Sequence, residues 1–362
     1  MKVSACMIVK DEEKCLRRCL DSIKEWVDEI IIVDTGSTDG TVIIAEGYGA
    51  KIYHQKWKND FSFHRNYSIS KATGDWIFII DADEEVPRED GEAIKKMLID
   101  GLDREVIFID LLNVYGETNT VRSRAPSARF FKRSTNPKYV RAVHNRPVIK
   151  ENAKVYRLPF RVIHYGYDLD EEGMRKKYKR TVRMCKKLTE DEPDKPESWL
   201  HYAKMLKVKD GEFNFKDIPI MEETLTRGIE LCDGVNDGQS IYLQLLALAG
   251  LVQLQKKEYK QAVTYVETAL KHKPDYLDAL IIAGFAYTYG IDAKVGEKYL
   301  QQYLTEQELY GFSDKIDSLS LEFANERIGA YKALIDIEKF KNEQPIIAPR
   351  EEIKEERIAV NG

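Results

Sequence analysis

The sequence predicts an α/β domain built on a mostly parallel sheet, followed by an all-α domain of helical repeats. Three observations carry that reading. Short apolar runs alternate with helical spacing as far as about residue 165, and two of those runs end directly on aspartates. Beyond about residue 172 the pattern becomes helical and shows an internal period of 34 residues. The 362-residue length exceeds what one core usually sustains, so two domains are expected. The boundaries read 1–170 for the sheet domain, 171–341 for the helical domain and 342–362 for a charged, proline-bearing tail.

Element by element, 3–9 is an apolar strand, and 11–23 carries Leu16, Cys19, Leu20 and Ile23 at helical spacing behind an acidic first turn. A second buried strand at 29–33 is closed by Asp34-Thr35-Gly36-Ser37. A helix at 41–47, a short strand at 51–54 and a helix at 63–72 follow, the last stopped by Thr73-Gly74. The run 76–80 is a fourth strand and ends in Asp81-Ala82-Asp83. Strand–helix–strand at this spacing means a parallel sheet covered on both faces, whose ligands bind beyond the carboxyl ends of the strands. After residue 104 the pattern loosens into short strands at 106–112 and 127–131 and loops rich in Arg, His and Tyr.

In the helical half, Leu246, Gly250, Ala262, Val266, Ala269 and Pro274 take the spacing of a tetratricopeptide repeat. Adding 34 gives Leu280, Gly284, Gly296, Leu300 and Tyr303, in phase. A degenerate earlier copy runs from Trp199-Leu200-His201-Tyr202-Ala203 to Leu225 and Gly228, with an insertion at 209–219. Small residues are needed where paired helices approach closely, and the proline where the second helix ends.

A net charge of −5 argues against a nucleic-acid coat protein, which needs a basic footprint. The longest apolar runs, 76–80 and 245–252, are core-sized, far below the roughly 18 residues a membrane span needs. The N-terminal residues lack a small-residue cleavage site and run into a strand pattern, so no signal peptide is expected. Five scattered cysteines fit reduced thiols in the cytoplasm; Cys15 and Cys19 lie at i, i+4, but no second pair or histidine completes a zinc site.

Asp81 and Asp83 are the centre of the chemistry. Carboxylates at i, i+2 after a buried strand would share a face and converge on one divalent cation, since two aspartates capping five apolar residues are costly unmet. Mg²⁺ or Mn²⁺ there would stabilise a departing nucleotide diphosphate. Asp34 closes its own strand in the same manner and could accept from the imide of a uracil; an N-capped βα loop is the plainer alternative.

These motifs resemble a family-2 glycosyltransferase of the GT-A fold. The resemblance rests on 4–12 (Ser4 to Glu12), 31–41 (Ile31 to Thr41), Phe63-His64-Arg65-Asn66 and 74–84 (Gly74 to Glu84), strong over 1–100 and looser to 170. It implies an inverting transfer from a nucleotide-diphosphate sugar, UDP foremost. Val9, Asp11, Asp34, Arg65, Asp81 and Ala82 would bind the donor, and Asp83, His164 and, directly or indirectly, Asp81 the Mn²⁺ or Mg²⁺. Where similar sequences read His-Glu this chain has His144-Asn145, so the base is left to His144. Arg122, Arg124, Arg129, Lys132 and Arg133 are either phosphate contacts or a solvated rim. The repeats suggest a peptide or protein acceptor, or self-association. Asn145 keeps a second reading open, a repeat scaffold with a donor-binding but inactive front domain.

Overall fold

The computed structural model describes residues 1–99, 103–115, 120–165, 171–206, 217–232, 239–311 and 327–342. The chain divides into two compact units, Met1–Leu188 and Thr189–Gly362.

The first unit contains β1 (Val3–Val9), α1 (Leu16–Ile23), β2 (Glu29–Asp34), α2 (Thr41–Gly47), β3 (Lys51–His54), α3 (Phe61–Lys71), β4 (Trp76–Ile79), β5 (Glu84–Glu85), α4 (Arg88–Ile99), β6 (Val106–Tyr115), β7 (Thr120–Lys132), β8 (Tyr139–Val140), β9 (Arg146–Pro147), β10 (Val155–His164) and most of α5 (Glu171–Asp191). Eight strands form one sheet in the order β3-β2-β1-β4-β7-β6-β10-β5. The first four are mutually parallel, β10 is parallel to β6, and β7 and β5 run against their neighbours. A parallel centre needs cover on both faces, and the strand residues divide accordingly. Val3, Ala5, Met7 and Val9 pack with Leu16, Leu20, Ile23 and Trp26 on one face, while Cys6, Ile77 and Ile79 pack with Ile69 and Tyr139 on the other.

Three elements differ from expectation, each for a local reason. Helix α1 starts at Leu16, because Asp11 adopts a left-handed φ of 55° and the acidic residues bond to the loop after β2. Helix α3 begins at Phe61, since the Asp60 carboxylate caps it by accepting from the Phe63 N–H at 2.9 Å. The short strands expected at 106–112 and 127–131 are the ends of one long antiparallel hairpin, β6–β7, in which Pro126 stands opposite Asp110. The polar stretch Val121–Pro126 carries no strand signal of its own. Its own Arg124 bonds to the buried Asp110 of β6, which Arg157 of β10 grips from the other side.

The second unit contains α6 (Pro196–Leu206), α7 (Ile218–Glu230), α8 (Gln239–Gln255), α9 (Tyr259–His272), α10 (Leu277–Gly290), α11 (Ala293–Gly311) and α12 (Arg327–Asn342). The 34-residue phase is visible as a repeated contact. A Cβ on Gly250 would lie 2.6 Å from Val266 Cγ1, and one on Gly284 would lie 2.6 Å from Leu300 Cδ2, the same pair one repeat later. Most of the insertion at 209–219, and the tail beyond residue 342, lie outside the described residues. Gly296 meets backbone on two sides: an added Cβ would stand 2.7 Å from the Thr288 N and 2.9 Å from the Gly284 O. Gly→Ala inside a helix normally stabilises by about 1 kcal/mol. Gly296→Ala is instead expected to destabilise the helical unit by about 1–3 kcal/mol, because backbone must move. Urea unfolding followed by circular dichroism reads the sign directly. Among the described residues, no helix is long and apolar enough to cross a membrane.

Candidate active site

Asp34 ends β2, opposite Val9 of β1 and His54 of β3. Its side chain is 4% exposed and accepts from the Gly36 N–H at 3.2 Å and the Ser37 N–H at 3.0 Å, with His54 Nδ1 at 3.2 Å. Burial pushes this carboxyl up, but the Ser37, His54 and Gly36 hydrogen bonds outweigh it, and the pKa lies below the ordinary value. Gly36 makes the turn possible at φ 109°. The loop, with Val42, His54, Gln55 and Lys56, lines an open pocket of about 410 Å³. Val9 and Asp11 brace it from β1. The Val9 carbonyl accepts from the Thr35 N–H at 3.0 Å, and the Asp11 carboxylate accepts from the Thr38 N–H at 2.7 Å.

Strand β4 stops at Ile79, so Asp81-Ala82-Asp83 form a turn rather than a strand end, closed by the Glu84 N–H donating to the Asp81 carbonyl at 3.1 Å. The two carboxylates take different partners. Asp81 Oδ1 accepts from Arg65 Nη2 at 3.0 Å. Asp83 Oδ2 lies 3.2 Å from His164 Nε2, and the Tyr165 N–H donates to the Asp83 carbonyl at 2.9 Å. Ala82 between them is buried. His164 is placed by strand pairing, with Glu84 of β5 on one side and Asn113 of β6 on the other. Its Nδ1 lies 2.7 Å from Asn113 Oδ1, which fixes the plane of the ring and leaves Nε2 facing Asp83. Burial opposes charging this imidazole, but the Asp83 hydrogen bond and the Asp83, Glu84 and Asp81 charges prevail and raise its pKa. Asp81 is hydrogen-bonded to Arg65 while its charge also acts on His164; among the described residues no three His, Cys, Asp or Glu side chains form a ready metal cage.

Strands β2, β1 and β4 are adjacent and parallel, so Asp34 and Asp81 leave the same sheet edge two strand spacings apart, roughly 10 Å. Glu12 lies between them on the β1–α1 loop. Its carboxyl is pushed up to about 7, first by burial and then by Asp83 and Asp81, against the pull of Cys15 and Lys177.

Helix α3 ties this rim to the β8–β9 hairpin. Asn66 exchanges two hydrogen bonds with the Tyr139 backbone, at 2.9 and 2.7 Å, and the Phe61 N–H donates to the Ala142 carbonyl at 2.8 Å. His144 is exposed on that hairpin, with a left-handed φ of 47°. Of the basic residues weighed as phosphate contacts, Arg129 is buried on Glu84, Arg124 is held by Asp110, and Arg133 Nε donates to the Gly74 carbonyl. All three thus have protein acceptors already. The side chain of Arg122 lies outside the described residues. Sequence reasoning missed His54 and Asn113. His54 was within reach, since it ends a strand at the same edge as Asp34; Asn113 belongs to the hairpin that carried no strand signal.

Residues 4–158 match the model of glycosyl transferase family 2. The match covers most of the sheet domain and less than half of the chain. The glycosyltransferase domain precedes tetratricopeptide-type helical pairs, and both features recur among relatives. A TPR repeat-containing protein of Synechococcus elongatus is 52% identical over 97 residues, 27% of this chain and 24% of that protein. The glycosyltransferase SunS of Bacillus subtilis is 28% identical over 285 residues, 76% of this chain and 64% of that protein. The chain thus spans less than two thirds of the length of either. Among solved structures, S. aureus TarS in complex with UDP aligns over 76% of this chain and 91% of that one, at 15% identity and a TM-score of 0.40. Mycobacterium tuberculosis glucosyl-3-phosphoglycerate synthase with Mn²⁺ and UDP aligns over 30% and 44%, at 23% identity and a TM-score of 0.27. Both scores are too low for those complexes to bear on this domain's ligands.

Proposed function

We propose that this chain is an inverting, metal-dependent glycosyltransferase that takes a sugar from a uridine-diphosphate donor and passes it to a polypeptide. The observation that carries the reading is the pairing of Asp83 Oδ2 with His164 Nε2 on the sheet edge that also holds the Asp34 pocket. A carboxylate facing an imidazole nitrogen, with the other ring nitrogen held on Asn113, suits a divalent cation of borderline hardness once that nitrogen is deprotonated. Asp83 and His164 would hold Mn²⁺ or Mg²⁺, with phosphate oxygens and water completing the shell. The ion would offset the charge that develops on the diphosphate.

The chain's own groups do the rest. Asp34 accepts from the imide N–H of the base, and Arg65, braced on Asp81, faces the donor. The acceptor's hydroxyl or thiol attacks the anomeric carbon as the bond to the diphosphate oxygen breaks, and the electron pair leaves with UDP. His144 takes the acceptor's proton, since Asn145 cannot. Stacked helical repeats of this kind commonly form a concave surface, which here would hold an extended peptide or a second copy of the chain. The five free cysteines support a reducing compartment, the cytoplasm.

Calorimetry tests the reading. UDP is expected to bind only with Mn²⁺ or Mg²⁺ present, and Asp34→Ala to weaken it about tenfold, the worth of one hydrogen bond to a charged group. Equal binding in EDTA would count against it. Binding without any slow release of UDP from a sugar donor would favour the scaffold reading.

A further inference from the structure

Helix α5 carries a cation that the site described so far does not use. The Arg180 guanidinium lies 5.6 Å from the Phe61 ring centre and 6.0 Å from that of Trp57. Trp57 meets Phe61 edge-on at 4.8 Å and stacks on His64 at 5.0 Å, with planes 11° apart. His64 in turn is fixed by accepting from the Lys58 N–H through Nε2 at 3.1 Å, and its neighbour Arg65 grips Asp81. The aromatic bed under Arg180 is therefore continuous with the turn of α3 that reaches the acidic rim.

Among the described residues Arg180 lies over two rings and is in no salt bridge, Glu12 acting on it only at longer range. Its buried Nε has no hydrogen-bond partner. Burial pulls the guanidinium below its ordinary value, opposed by the Glu12 carboxylate. Glu12 is the residue on which Asp83 and Asp81 act, and Lys177, three residues before Arg180 on the same helix face, acts on it as well. A half-buried arginine lying over two rings, with its Nε unpartnered, is costly by itself and well made for a planar contact to phosphate.

We propose that Arg180 grips the diphosphate of the donor at this rim, its fork taking phosphate oxygens while Trp57 and Phe61 hold its plane. The proposal rests on the donor reading above and extends the site to a helix that the family match, which ends at residue 158, does not include. The two rings restrict the guanidinium before the ligand arrives, so less side-chain entropy is lost on binding.

The test compares UDP with uridine on the full-length chain in Mn²⁺, by calorimetry, for wild type, Arg180→Gln and Arg180→Lys. Arg180→Gln is expected to weaken UDP about tenfold and uridine less than about twofold, since the nucleoside lacks the phosphates. Arg180→Lys, which keeps the charge and loses the fork, falls between. If the glutamine variant does not fold, the lysine variant decides by the same UDP-to-uridine comparison. Unchanged UDP binding, or equal losses on both ligands, would overturn the proposal while leaving the donor reading intact. A wild-type chain that binds no UDP in Mn²⁺ overturns both.

Discussion

Asp83→Asn is expected to lower the rate of Mn²⁺-stimulated UDP release by about 10²–10³-fold, the loss found when one preorganised electrostatic contact to a transition state is removed. The substitution keeps the side chain's size and removes its charge. The turn should survive, because Tyr165 donates to the Asp83 main-chain carbonyl and the carboxylate itself is a quarter exposed. His164 would stay on Asn113 through Nδ1 but lose the carboxylate that raises its pKa, so the pair would no longer present two ligands. The checks are a coupled assay for UDP release and a thermal melt. Release within tenfold of wild type, in a folded variant, would remove Asp83 from the metal site.

Arg129→Met is expected to cost the sheet domain about 3–5 kcal/mol, the usual penalty for stripping one partner from a buried ion pair. Arg129 is 6% exposed, with Nη2 donating to Glu84 Oε1 at 2.6 Å, Nη1 to Glu84 Oε2 at 3.0 Å and Nη1 to the Ile79 carbonyl at 3.3 Å. Glu84 is 2% exposed and also accepts from the Asp81 N–H at 2.8 Å, so the pair pins the start of the acidic turn. Burial already pushes the Glu84 carboxyl up to about 7 against the pull of Arg129, with Asp81 and Asp83 adding to the push. Without the arginine, Glu84 would be neutral at pH 7 and the turn would lose its anchor. Adding Glu84→Gln to Arg129→Met should recover part of the loss, since the amide is neutral in the unfolded chain too and needs no proton on folding. Urea unfolding of the single and double variants measures both terms. A loss below about 1 kcal/mol would mean that water reaches this pair.

What could be read early was whatever the chain states locally. The apolar runs of β1, β2 and β4 announce strands buried on both faces, and their order implies parallel pairing. Asp34 and the Asp81–Asp83 turn follow those runs directly, so their place at a carboxyl edge needed no coordinates. What could not be read was pairing across distance. The polar segment of β7 has no strand pattern, and its place in the sheet depends on Arg124 and Arg157 finding Asp110, 14 and 47 residues away.

The same division runs through the site. By itself the sequence determined which residue types stand at the strand ends, and the glycine phase of the repeats, because both follow from short-range periodicity. Only the tertiary structure decided the partners. It gave Asp81 to Arg65, Asp83 to His164, Glu84 to Arg129 and the rings of Trp57 and Phe61 to Arg180. A charge's partner depends on which strands and helices lie side by side after burial of the apolar faces. That arrangement is a property of the packed sheet, not of any window of the chain.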